Sequence, residues 1–389
     1  MNTKRTSKLL WLSLFALALI LTTVGDSTVL LANDSATHVI KIASDSDHTI
    51  ALKEDGTVWT WGSNWKGQLG DGTKFESNIP IQVIGLTDVV AITAGSNRNY
   101  AFKNDGTVWA WGYNENGQLG DGTKIDKTIP VKVSILDDIA AIAGGYGHTV
   151  ALKKDGTVWT WGANWSGQLG DGTTVSKITP VQVSGLADVI AIDAGVDHTI
   201  ALKDDGTVWA WGANRNGKLG DGTKLDSKTP IQVIRLNNVA IIAVGYDNNF
   251  ALRHDGTVWV WGCNEYGKLG NGTTIDRTPP ELVSKLKNVT SIAAGDISTL
   301  ALKNDGTVWG WGSNLSGLLG VWKSTCYSSP VQVRGLSEVI AIAAGGKHAI
   351  ALKDDGTVWA WGLNDHGQLG NGSHDLELRP ILVTFPPSN

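Results

Sequence analysis

The phrase Asp-Gly-Thr-Val-Trp-Thr-Trp-Gly at Asp55–Gly62 returns, with one position varying, at Asp105, Asp155, Asp205, Asp255, Asp305 and Asp355, each time 50 residues on. Aligned on it, the chain from Val39 to about Ser388 divides into seven units without insertion or deletion. Self-similarity at such a period outranks any local reading of secondary structure, because each unit must bury its apolar face against the next. The units share V-x-x-I-A-A-G-x-x-H-T-x-A-L-K-x-D-G-T-V-W-x-W-G-x-N-x-x-G-Q-L-G-D-G-T, a variable stretch, and then P-V-Q-V-x-G-L.

Each unit parses into four strands. In the second, VVAITAG (Val89–Gly95) is nearly all apolar or small, which predicts a strand buried on both faces, and YAFK, TVWAWG and PVKV follow between turns. Lys-x-Asp-Gly joins strands two and three, and Asp-Gly is expected to supply two residues with positive φ to a tight hairpin. The 48 glycines and 18 tryptophans, against five Phe and one Met, suit short strands, tight turns and an indole-rich core. The terminal units are as regular as the middle ones, whereas open arrays end in polar caps, so a closed ring is expected. The fold class predicted is all-β, a seven-bladed β-propeller with four antiparallel strands per blade. The sequence leaves open whether Pro380–Val383 pairs within its own unit or closes the first blade.

The N-terminus is of another kind. Lys4, Arg5 and Lys8 precede a 16-residue apolar run, Leu9–Val24, and VLLA follows, ending at Ala32. This order is that of a secretory signal, and the run also approaches the length of a membrane anchor. Residues 1–32 are therefore expected to be a signal peptide cleaved after Ala32, or a signal anchor; residues 33–38 a linker; and residues 39–389 the propeller. The expected location is secreted or cell-surface, with membrane contact only if the segment is retained. The net charge is −5, and the remainder is more acidic once Lys4, Arg5, Lys8 and Asp26 are set aside. Proteins that neutralise phosphates are basic, so nucleic acid is not an expected partner. Cys263 and Cys326 are too few for a disulfide framework and leave one bridge open.

The stretch AAG..H..AL..DG.VW.WG.N..GQLG.G......P..V resembles the repeat of the regulator of chromosome condensation family, and the resemblance covers all seven units. It implies a propeller and three functional classes. Nuclear nucleotide-exchange members carry an extra wedge in one blade, which this insertion-free, acidic chain lacks. The ultraviolet-B photoreceptor motif Gly-Trp-Arg-His-Thr has no counterpart, since Gly145–Thr149 reads GYGHT and Gly195–Thr199 reads GVDHT. A secreted, β-lactamase-inhibiting member that occludes its partner with aromatic residues is the closest in character.

Alternation places Thr57, Trp59 and Trp61 on one side of their strand and Val58 and Thr60 on the other. The small residue between the indoles lets adjacent blades interlock, so the fourteen paired tryptophans read as scaffold. The Asp-Gly turns and the Gly-Leu links share one face of the ring, which is monotonous. The turn after strand one and the loop after strand three share the other, where units diverge. After strand one come Tyr146, Asp197, Tyr246, Asp247 and Lys347, with Asn97 and Asp296 beside them. After Trp-Gly come Trp65, Tyr113, Glu115, Trp165, Arg215, Glu265, Tyr266 and His366. Exposed aromatics with a few charges on a rigid scaffold are the material of protein-binding hot spots. Unit six replaces Gly-Gln-Leu-Gly-Asp-Gly-Thr with a stretch that puts Trp322 and Tyr327 on a loop, as an extension of this face or a decayed repeat.

His48, His148, His198 and His348 occupy one repeat position, but equivalent positions on adjacent blades lie too far apart for a shared ligand sphere. The loops lack the regular acidic spacing of a calcium site. No nucleophile elbow, phosphate loop or zinc motif is present, and Glu115, Glu265 and Asp365 sit on different blades. The expectation is a monomeric, cofactor-free, metal-free, non-enzymatic propeller that binds an extracellular protein, for instance as an inhibitor of an extracellular enzyme. The alternative is a polysaccharide stacked on Trp65 and Trp165.

Overall fold

The computed structural model describes residues 38–133, 137–321 and 325–386. The N-terminal segment and Trp322 lie outside them. Among the described residues twenty-eight strands, β1–β28 in chain order, form seven antiparallel sheets of four, each built from one repeat in sequential order. In blade one these are β1 (Val39–Asp45), β2 (His48–Lys53), β3 (Val58–Gly62) and β4 (Ser77–Gln82). The first strand of each blade lines a central funnel and is only partly buried, as the pattern along Val89–Gly95 shows. That corrects the expectation of a strand buried on both faces, and its short apolar residues reflect crowding at the axis.

The hairpin between strands two and three also differs from expectation. Gly56 has φ 78°, whereas Asp55 is not among the positive-φ residues. Gly56 N–H donates to the Lys53 carbonyl at 3.0 Å, and Lys53 N–H donates to that of Thr57 at 3.0 Å. This three-residue connection places glycine alone in the left-handed region, with a bulge. Asp55 serves through its carboxylate, accepting from the Thr57 N–H at 2.9 Å and the Thr57 hydroxyl at 2.6 Å.

The two tryptophans of the phrase have different jobs. The second of each pair, from Trp61 to Trp361, is fully buried between blades. Its indole N–H donates to a carbonyl of the preceding blade: Trp111 to Gln68, Trp161 to Gln118 and Trp211 to Gln168, each at 2.9 Å. The first of each pair is half-buried except for Trp59, and Trp109 and Trp209 donate instead to the threonine two residues earlier. The glycine of each Trp-Gly is obligatory: Gly62 has φ 101°, and a Cβ there would lie 2.5 Å from the Asp47 carbonyl. That carbonyl accepts the Ser63 N–H.

Ring closure repeats the same bonds. The C-terminal strand β28 (Glu377–Leu382) pairs with its own blade's β27 (Val358–Gly362), which settles the question left open by the sequence. Trp61 donates to the Gln368 carbonyl at 2.9 Å, and Gly372 N–H to that of Asn78 at 2.8 Å. Phe385 then packs edge-on against Trp59 and Trp61, with centroids 6.0 and 5.7 Å away.

Candidate functional site

The loop after strand three is organised by one buried asparagine per blade. Asn64 Oδ1 accepts the Leu69 N–H at 2.9 Å, while its amide donates to Asp71 Oδ1 at 3.1 Å and to the Phe75 carbonyl at 2.9 Å. This explains the Asn and the Leu-Gly-Asp-Gly-Thr of the repeat, and it fixes the loop backbone so that Trp65 and its equivalents are held outward. Asp71, the acidic residue of this loop, is spent within the turn, accepting from Thr73 N–H at 3.0 Å and its hydroxyl at 2.7 Å.

The four histidines do not converge. Each reaches across to the next blade: His48 Nε2 lies 3.0 Å from Asn99 Oδ1, His148 Nε2 2.9 Å from Thr199 Oγ1, and His198 Nε2 2.8 Å from Asn249 Oδ1. His348 Nε2 closes the ring, 2.8 Å from Ser44 Oγ and 3.0 Å from Thr49 Oγ1. Burial pushes His48 and His198 down to about 4 and His148 and His348 to about 3. Among the described residues no group of three or more His, Cys, Asp or Glu is arranged to hold a metal ion. In unit two Arg98 takes the histidine's place, fully buried, donating to the carbonyls of Ser96, Tyr146, Gly145 and His148 and to the Tyr100 hydroxyl.

The first-strand ends and the turns after them enclose the funnel, a cavity of about 550 Å³ lined by Asp45, Asp193 and Asp296 and bordered by Tyr146 and Tyr246. The aromatics expected on this face are there: Trp65 and Trp165 are 61% and 62% exposed, Tyr146 and Tyr246 45% and 40%. A Cβ on Gly147 would lie 4.0 Å from the Trp165 ring, so that indole adjoins the turn carrying Tyr146. Tyr113 faces the Lys66 ammonium, 4.8 Å from its ring centroid, and Lys66 is ion-paired with Glu115. That contact holds the exposed Glu115 carboxyl below its ordinary range.

Other expected residues are engaged in the fold. Asp197 and Asp247 both pair with Lys218, which is fully buried, and Arg215 lies 3.6 Å from Asp247. Glu265 and Tyr266 form a short 3₁₀ turn in which Tyr266 has φ 61°. His366 Nδ1 lies 3.0 Å from Glu76 of blade one. Lys347 is exposed, and its charge is felt by Asp296. Tyr327 is not on a loop but in the outer strand of blade six (Cys326–Gln332), opposite Gly312. Cys263 and Cys326 are unpaired.

Sequence reasoning missed Asp45 and Asp193, and it missed a ring of exposed apolar side chains at one position of the variable stretch: Phe75, Ile125, Val175, Leu225 and Ile275. The 50-residue register of that stretch was the available signal.

Comparison with known proteins decides the family. Residues 21–245 match the RCC1-like domain, and residues 255–302, 305–352 and 355–389 match the regulator of chromosome condensation (RCC1) repeat. The chain belongs to the RCC1-like family. Among solved structures this RCC1-like propeller is similar to yeast RCC1 (Prp20) bound to Kap60, with TM-score 0.76 and 22% identity over 93% of this chain and 91% of that one. It is similar to human WBSCR16, with TM-score 0.76 and 24% identity over 85% and 94%. The human E3 ubiquitin-protein ligase HERC2 is 60% identical over 35 residues, 9% of this chain and 1% of HERC2. The chain thus spans a very small part of that relative.

Buried histidines and funnel carboxylates oppose each other in acid. The histidines are neutral in the fold and become charged on unfolding below about pH 6.5, so each removes stability as pH falls from there toward its folded value. Burial pushes Asp45 and Asp193 up to about 7 and Asp296 to about 6. These carboxyls are protonated in the fold and ionised in the unfolded chain from about pH 4 up to their folded values, so each adds stability as pH falls through that window. Each group carries up to about 1.4 kcal/mol per pH unit, and four against three leaves a shallow slope between about pH 6 and 4.5. The variant D45N/D193N/D296N removes the opposing set. Urea unfolding across that window should then show stability falling much more steeply with acid; an unchanged slope would refute the assignment.

Proposed function

We propose that this propeller is a protein-binding scaffold whose partner docks on the funnel face. The observation that carries the reading is the exposure of Trp65, Trp165, Tyr146 and Tyr246 on one face of a rigid ring. Large, stiff aromatics exposed this way cost little entropy to immobilise and are enriched among interface hot spots. Phe75, Ile125, Val175, Leu225 and Ile275 extend the apolar area outward in the same loops. Propellers of this fold are met with other proteins, as yeast RCC1 with Kap60.

The signal-like order of Lys4 to Ala32 supports an exported protein and hence an extracellular partner. An inhibitory mode, in which the face covers an enzyme's entrance, fits a surface of this kind. A polysaccharide platform is less well supported, because Trp65 and Trp165 belong to blades one and three and the Lys66–Glu115 ion pair lies between them.

The test is capture of secreted proteins by the wild type and by W65A/Y146A/W165A/Y246A, followed by titration of the captured protein. The fourfold variant should bind at least about a hundredfold more weakly, since each hot-spot truncation is worth about 1–2 kcal/mol or more. Undiminished binding would sink the reading, and retention on polysaccharide alone would replace it with the alternative.

A further inference from the structure

Resting on that reading, we propose that the central funnel seats a lysine or arginine side chain carried on a protruding loop of the protein partner. The cavity opens on the aromatic face, and Asp45, Asp193 and Asp296 line it. None of the three is required by the scaffold. Asp45 stands where the other six units have glycine, from Gly95 to Gly345. Asp193 stands where the others have alanine or Thr93, and Asp296 occupies a turn position held elsewhere by Ser46, Ser96, Tyr146, Val196, Tyr246 and Gly346. Seven equivalent strands can form this ring without them, so their acidity belongs to the funnel rather than to the fold.

Their hydrogen-bond partners are neutral groups. Asp45 accepts from the Ser46 hydroxyl at 3.1 Å, and Asp193 from the N–H groups of Ala194 and Val244, both at 2.8 Å. Among the described residues, no hydrogen bond reaches the Asp296 carboxylate, and none of the three carboxylates forms an ion pair. The nearest cations pair directly with none of the three: the Arg98 guanidinium donates to four carbonyls and a hydroxyl and acts on Asp45 only through its field, and the Lys268 ammonium bonds the Asp296 backbone carbonyl at 3.3 Å. Lys347 at the exposed rim and Asp47 act on Asp296 only through their fields.

A second feature, independent of the carboxylates, lies in the funnel wall. Asn248 is fully buried with both amide atoms unpartnered, and its Oδ1 faces Gly245, which lines the cavity; a Cβ there would come within 2.6 Å of it. Ser298 Oγ, one blade on, is likewise buried and unpartnered. The wall is thus polar in depth as well as acidic at its surface. At the mouth, Tyr146 and Tyr246 offer ring faces that favour a cation. A dispersed acidic lining of this size does not make a metal site, but an extended side chain with a terminal ammonium or guanidinium can reach several carboxylates at once, and the apolar flanks of its loop can rest on Trp65 and Trp165.

The probe is a fluorescent tetralysine peptide, followed by anisotropy against the full chain at low salt and about pH 8, above the folded values of the three carboxyls, with tetraglutamate and spermidine as comparators. The expected result is saturable binding of tetralysine, absent for tetraglutamate, weakened at least about tenfold in D45N/D193N/D296N and measurably in D296N alone. D296N removes no hydrogen bond and so guards against a folding artefact in the triple variant. Equal affinity of the wild type and both variants would overturn the proposal. So would saturable binding of spermidine without binding of tetralysine, which would make the funnel a site for free amines. The aromatic fourfold variant separates the two readings: if it keeps tetralysine but the wild type captures no protein, the docking face fails and the cation seat stands.

Discussion

Trp211→Ala is expected to lower the unfolding free energy by about 3–5 kcal/mol, the range for truncating a buried large aromatic. Trp211 is fully buried among Val150, Leu152, Val158 and Ala201, so it joins blade three to blade four. Trp211→Phe should cost much less, about 1–2 kcal/mol, because it keeps most of the apolar volume. The Gln168 carbonyl that loses the indole donor at 2.9 Å still accepts the Thr199 hydroxyl at 2.9 Å. Trp209→Ala should also be milder, since that ring is half-buried and its N–H bonds only Thr207. Guanidinium unfolding followed by far-ultraviolet circular dichroism measures all three. The same experiment on Trp61→Ala tests closure. Trp61 packs on Ile350, Leu352 and Leu369 of the last blade, so its loss should match that of Trp211, whereas a ring held weakly at its seam would show a distinctly smaller effect.

The difference between the paired tryptophans marks how far the sequence could be read. Period and alternation placed the strands, the blades and the two faces, because those follow from local spacing. They also placed Trp59 and Trp61 on one side of their strand. What they could not give is depth: Trp111 is inserted under the Gln68 carbonyl of another blade while Trp109 stays half-buried, and that depends on how two sheets twist against each other. The hairpin was located correctly and its backbone misjudged, because Asp-Gly serves both two-residue turns and glycine-bulge loops.

At the candidate site the legible part was the exposed aromatics, which sit on loops whose anchoring Asn64 is local to the repeat. The illegible part was everything that depends on one blade meeting the next. His48, which the repeat spacing argued against as a metal ligand, proves to be a tie to Asn99, 51 residues away. Asp197 and Asp247 looked free and prove to share a lysine. The substitution of Lys218 for the repeat's glutamine, together with acidic residues in the two turns that flank it, was a correlated departure visible in the sequence; its meaning needed the distance.

That buried triad gives the second large expected effect. Lys218→Met should destabilise the protein by about 2–4 kcal/mol at neutral pH, near the lower end of the range for stranding buried charges, because Asp197 and Asp247 keep some solvent contact. Burial by itself would raise the Asp247 carboxyl, yet the Lys218 ammonium outweighs it and holds that group below its ordinary range. The pairing therefore stabilises the wild type above the unfolded carboxylate value of about 4 and is lost as pH falls through the lower folded value. In Lys218→Met the carboxylates gain by protonation instead, so the gap between variant and wild type should narrow steadily as pH falls from neutral toward about 3. Four other blades show the uncharged solution. Gln68, Gln118, Gln168 and Gln368 each accept the backbone N–H two residues earlier, at 2.8–2.9 Å. K218Q/D197N/D247N should accordingly recover stability to within about 1 kcal/mol of wild type, and the three changes should be strongly non-additive. If K218M alone is neutral, or if the triple variant is no better than K218M, the triad does not hold blades four and five together as described.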